Sequence, residues 1–83
     1  MEFRIIDVMF VERGKGETTA FVIRATRSNS NRTAFAGYVN RLRPGSDVWI
    51  AATRRKKGDP VHTAKGTLED VQGEIRDFLL NRR

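Results

Sequence analysis

The 83-residue chain contains no cysteine and a single histidine, His62. Without thiols no disulfide staples the fold, and every zinc site that relies on thiolates is excluded. One histidine leaves little from which to build any other metal site, so neither a metal nor a cofactor is expected. No apolar run approaches the roughly 18 residues needed to cross a bilayer, and no membrane partner is expected. The opening stretch MEFRIIDVMFV carries acids where a secretory signal would carry basic residues, which makes a cytoplasmic setting the expectation. Catalytic chemistry is equally sparse. His62 lies beside Thr63 and near Asp59, but no nucleophile elbow or oxyanion-hole motif accompanies it. Gly14-Lys15 lacks the earlier glycine of a phosphate-binding loop, because Met9 holds that place. Glu69, Asp70, Glu74 and Asp77 have the spacing of helix-surface and capping residues. No catalytic residue is assigned, and a non-enzymatic protein is expected.

What is present is a regular apolar pattern and an uneven charge. Hydrophobic residues make up 39% and charged residues 31%, and the apolar ones recur along most of the chain, as in a folded protein. The length suits one domain spanning 1–83 with a single modest core. The net charge of +6 is concentrated: residues 41 to 57 hold six cations (Arg41, Arg43, Arg54, Arg55, Lys56, Lys57) against Asp47, for +5. Solubility alone is met by scattered charge, so concentration favours an anionic partner, although charge runs at hairpin tips are commonly just solvated.

Residues 3 to 12, FRIIDVMFVE, read as a strand with both faces partly covered, and ERGKGE after it reads as a hairpin loop. A second strand is expected over Thr18 to Arg27, with Phe21, Ile23 and Ala25 on one face and Val22, Arg24 and Thr26 on the other. Ser28 to Asn31 is a turn by composition. The third strand, Thr33 to Leu42, sets Phe35, Gly37 and Val39 against Ala36, Tyr38 and Asn40, and Gly37 marks a place for close packing on the sheet. Arg43-Pro44-Gly45-Ser46-Asp47 is the clearest turn, since proline presets φ and glycine supplies the positive φ that follows. In strand four Val48, Ile50 and Ala52 alternate with Trp49, Ala51, Thr53 and Arg55, and Lys57-Gly58-Asp59-Pro60 ends it. Val61 to Lys65 reads equally as a short fifth edge strand or as loop.

The final segment is a helix. Thr67 serves as N-cap with Asp70 three positions on, Glu69 and Asp70 sit at the positive end of the dipole, and Arg82 and Arg83 suit the negative end. Leu68, Val71, Ile75, Phe78 and Leu79 form its apolar stripe, which is expected to cover Phe21, Ile23, Phe35, Val39, Val48 and Ile50. The expected architecture is α+β: a four-stranded antiparallel meander, with or without the short fifth edge strand, packed on one face by a single C-terminal helix.

Alternate turns of a meander share one end of the sheet. This gathers Arg27, Arg32, Arg54, Arg55, Lys56 and Lys57 at one end, while Arg24, Thr26, Tyr38, Asn40, Trp49 and Thr53 form the face away from the helix. Tyr38 and Trp49 there can stack bases while the cations hold phosphates. Two alternatives stay open for Trp49: a dimer contact, or a place in the core with the strand register reversed. The stretch WIAATRRKKGDPVHTAKGTLEDV resembles the end of the small sheet-plus-helix DNA-binding domains of the AP2 and tyrosine-recombinase arm-binding type, in which a Trp-bearing basic strand, a glycine turn and a helix start follow one another. The likeness covers about a quarter of the chain, has more strands upstream than that pattern, and stands as an analogy that implies DNA binding.

Two functions are carried forward. One is a nucleic-acid-binding domain, for DNA or RNA, using Arg27, Arg32, Arg54, Arg55, Lys56 and Lys57 on phosphates and Arg24, Tyr38, Trp49 or Asn40 on bases. The other is a protein-interaction module, such as a phage or mobile-element inhibitor of the anti-CRISPR kind, docking the same basic surface on an acidic protein. A homodimer through the open sheet face or an edge strand is compatible with either.

Overall fold

Period-two apolar alternation followed by a capped amphipathic stretch gives a five-stranded antiparallel sheet and one helix in the computed structural model, which describes residues 4–81. Strands β1 (Ile5–Arg13), β2 (Ala20–Arg27), β3 (Thr33–Arg41), β4 (Trp49–Thr53) and β5 (His62–Gly66) lie side by side in chain order, and α1 (Leu68–Leu80) follows. The segment that read equally as strand or loop is therefore the fifth strand. The turn after Arg43 forms as its residues require, with Gly45 at φ 79° and the Ser46 N–H donating to the Arg43 carbonyl at 3.0 Å. Phe3, Arg82 and Arg83, expected in the first strand and at the helix end, lie outside the described residues.

Helix α1 starts where Thr67 Oγ1 accepts a hydrogen bond from the Asp70 N–H at 3.2 Å. It ends at Asn81, whose left-handed backbone (φ 57°) turns its N–H onto the carbonyls of Asp77 and Phe78. Val71, Ile75 and Leu79 are fully buried against the sheet. Both sheet edges meet the helix: Phe10 of β1 lies under the Arg76 guanidinium at 5.0 Å, and His62 of β5 stacks on Phe78 with ring centres 4.1 Å apart. The sheet thus curves around α1, and its other face is outermost. No described helix is long and apolar enough to cross a membrane.

The faces differ from expectation in two strands. In β3, Ile23 pairs with Gly37 but Arg24 pairs with Phe35, so Ala36 is an extra, bulged residue. Alternation inverts across a bulge, and Phe35, expected beneath the helix, stands on the open face with 64% exposure. The bulge is held by Ala36 O, which accepts from the buried Thr53 hydroxyl at 2.8 Å and from the Arg54 N–H at 3.4 Å. A Cβ on Gly37 would run into the Ala52 carbonyl oxygen, so the close neighbour anticipated at this glycine is the backbone of β4 itself.

In β4 the whole alternation is reversed. Trp49, Ala51 and Thr53 are buried, and Val48 and Ile50, expected in the core, are not. The reason lies in the pairing: Val39 opposes Ala51 and Arg41 opposes Trp49, and directly opposed residues share a face. Val39 is inside, so Ala51 and Trp49 are too. Apart from Thr53, both sets of alternating residues in β4 are apolar, and the set with the tryptophan ring has more apolar area to hide.

Candidate functional site

The meander brings four segments to one end of the sheet: the start of β1, the β2–β3 turn, the β4–β5 turn and the end of α1. Arg4 and Ser28 join the first two through backbone, Ser28 N–H to Arg4 O at 2.8 Å. Arg27 Nη2 reaches Arg55 O at 3.0 Å, and Arg55 Nη2 reaches the helix carbonyl of Phe78 at 2.6 Å. Arg27, Arg32, Arg54, Arg55, Lys56 and Lys57 are consequently at the same end, joined by Arg4. The seventeen-residue basic window is itself divided by β4. Arg41 and Arg43 are at the opposite end, where Arg41 Nη1 donates to Ser46 O at 2.8 Å and its guanidinium lies 4.4 Å from the Trp49 ring centre.

The cations of the basic end fall into two groups. Arg27 and Arg55 are half-buried and hold the fold together. Arg55 covers Phe78, with 4.1 Å from its guanidinium carbon to the ring centre, and satisfies a carbonyl in the last turn of α1. Its backbone oxygen in turn takes the Arg27 side chain. Arg4, Arg32, Arg54, Lys56 and Lys57 are exposed, and among the described residues no acid pairs with them. Five unpaired charges on three turns and strand ends leave a field that a polyanion can satisfy.

The open face adds polar and aromatic groups beside this end. Arg24 Nη2 donates to Thr33 O at 2.7 Å, which lays the guanidinium along the sheet, and Thr26 and Thr33 share a hydroxyl hydrogen bond at 2.9 Å. Phe35 is directly opposite Arg24, and Tyr38 stands between Val22 and Ala52 with 46% exposure. Trp49 does not belong to this face. It is 5% exposed under the helix, against the ring of Phe21 at 5.8 Å, so it offers no surface to a base. Of the residues expected on the open face, Arg24, Thr26, Tyr38 and Asn40 are there, and Trp49 and Thr53 are inside.

Two features escaped the sequence reading. Phe35 replaces Trp49 as the second aromatic of the open face, and only the bulge at Ala36 puts it there. Arg4 joins the cations because β1 starts beside the β2–β3 turn, as a meander with this register demands. His62 is engaged in packing: it stacks on Phe78 and its Nε2 lies 3.1 Å from Glu74 Oε2. No protein-family model matches the chain, and neither the curated proteins nor the solved structures contain a match.

Proposed function

We propose that the chain is a small non-enzymatic nucleic-acid-binding domain that holds phosphates on Arg32, Arg54, Lys56 and Lys57, with Arg4 beside them. The observation that supports this reading is the gathering of exposed, unpaired cations from three segments distant in sequence onto one end of the sheet. Isolated surface charges meet a solubility need without such convergence. Arg27 and Arg55 serve the site indirectly by fixing the β4–β5 turn that carries Arg54, Lys56 and Lys57.

Binding of a labelled oligonucleotide, followed by anisotropy across a salt series, tests the proposal. Each neutralised phosphate contributes about 0.7 to 0.9 to the slope of log affinity against log salt. Replacing Arg32, Arg54, Lys56 and Lys57 together with glutamine therefore lowers that slope by about 3. Affinity that ignores salt, or an unchanged slope in the fourfold variant, contradicts the reading.

A second reading, a protein-interaction module of the kind phages and mobile elements encode as inhibitors, is favoured by one observation. Ile6, Met9 and Phe35 are more than two-fifths exposed, at 52%, 46% and 64%, with Met9 and Phe35 on either side of Arg24, and large exposed apolar side chains grouped in this way are a usual mark of a protein contact. The partner surface would be acidic opposite the basic end. Copurification of one stoichiometric protein, together with no oligonucleotide binding at low salt, selects this reading over the first.

A further inference from the structure

We infer that the open face of the sheet is a base-stacking platform that selects single strands, with Phe35 and Tyr38 as its two stacking positions. This deepens the nucleic-acid reading above and rests on it.

Were the strand regular through Ala36, with no bulge, Phe35 would share the face of Gly37 and Val39 and join the core. Burying a phenylalanine removes a large apolar side chain from water and stabilises a domain relative to exposing it. The chain instead carries a bulge whose geometric result is an outward-facing phenylalanine, and bulges are a recurrent means of re-aiming a side chain at a functional surface. The bulge is also well supported, since the buried Thr53 hydroxyl and the Arg54 N–H both bond to Ala36 O.

The surroundings of the two rings suit stacking. Tyr38 is flanked across the sheet by Val22 and Ala52, both short, so its ring rises above its neighbours. Phe35 lies beyond the last residue pair of β4, because Thr53 opposes Gly37. On β2 their partners Arg24 and Val22 are two residues apart, which sets the two positions about 7 Å apart along the strands. Arg24 pairs with Phe35 across the sheet and, tethered to Thr33 O, keeps a cation on the same face two residues along β3 from that ring. The backbone of Arg54 reaches the same bulge and ties the platform to the basic turn that continues through Lys56 and Lys57. Bases of a duplex hide their π faces in the stack, whereas an unpaired strand offers them, so exposed rings beside cations discriminate in favour of single strands.

The experiment compares labelled oligo-dT and oligo-U of about 15 nucleotides, within the usual site sizes of such surfaces, with a duplex of equal length. The proteins are the wild type, a Phe35→Ala, Tyr38→Ala double variant, and the fourfold cation variant. Both rings are exposed, so the double variant remains folded by circular dichroism and its affinity is interpretable. The expected result is tighter binding of single strands by the wild type and a loss of about a hundredfold or more in the double variant, with the salt slope retained. Equal binding of duplex and single strand, or a double variant that binds single strands like the wild type, overturns the platform while leaving the phosphate-binding end intact. Failure of the wild type to bind any oligonucleotide overturns both. A dimer that the same double substitution converts to monomer in light scattering assigns the face to self-association and likewise overturns the platform.

Discussion

Trp49 lies between sheet and helix at 5% exposure, against Phe21 and beneath the Arg41 guanidinium, whereas Phe35 stands on the opposite face at 64% exposure beside Arg24. Both are large aromatic residues in strands of the same sheet, and either type can serve a core or a binding surface. What separates them is register. Trp49 follows the face of its partner strand without interruption, while Phe35 is one bulge away from that face. The same contrast recurs among the arginines at the basic end. Arg55 is committed to Phe78 and the helix terminus, and its neighbour Arg54 is exposed without an acid partner. Residue type therefore predicts neither role here, and position relative to the sheet predicts both.

The largest expected effect that tests this contrast is Trp49→Ala. Truncating a buried aromatic costs about 3–5 kcal/mol, against a total of about 5–15 kcal/mol for a domain, so the urea midpoint falls steeply. An unchanged midpoint would remove Trp49 from the core. An intermediate effect separates the two arginines. Arg55→Ala loses a charged hydrogen bond to Phe78 O and a cation over a ring, and lowers stability by about 1–2 kcal/mol. Arg54→Ala changes stability by no more than about 0.5 kcal/mol while weakening oligonucleotide binding at low salt. Denaturation and anisotropy on both variants check this together, and equal stability losses would erase the distinction. An equally small stability effect belongs to Phe35→Ala, within about 0.5 kcal/mol, because an exposed ring leaves no cavity. A loss as large as that of Trp49→Ala would mean that Phe35 packs inside.

Much of the architecture was legible from local chemistry. The turn residues Pro44-Gly45, the cap at Thr67 and the stripe of Val71, Ile75 and Leu79 act over a few positions, and each appears where its residues ask for it. The convergence of Arg27 and Arg32 with Arg54 to Lys57 was legible too, since strand order in a meander decides which turns share an end. Arg4 follows from the same strand order, since the start of β1 shares that end, whereas Phe35 and the commitment of Arg55 to the helix were not legible. Each depends on a contact across the sheet or between sheet and helix, and such contacts leave no mark at fixed sequence spacing.

Alternation with a period of two states which residues of a strand lie together, and it is silent about which side of the sheet they take. Sequence accordingly settled four of the strands, the turns, the helix and the end at which the cations meet, and left the fifth strand open. Pairing across the sheet decided that Trp49 goes in. A single extra residue at Ala36, stabilised by Thr53, decided that Phe35 comes out. Packing of Arg55 on Phe78 decided which positive charges are left for a partner. Faces and partners are set by hydrogen bonds between distant segments, and those exist only once the sheet has closed around the helix.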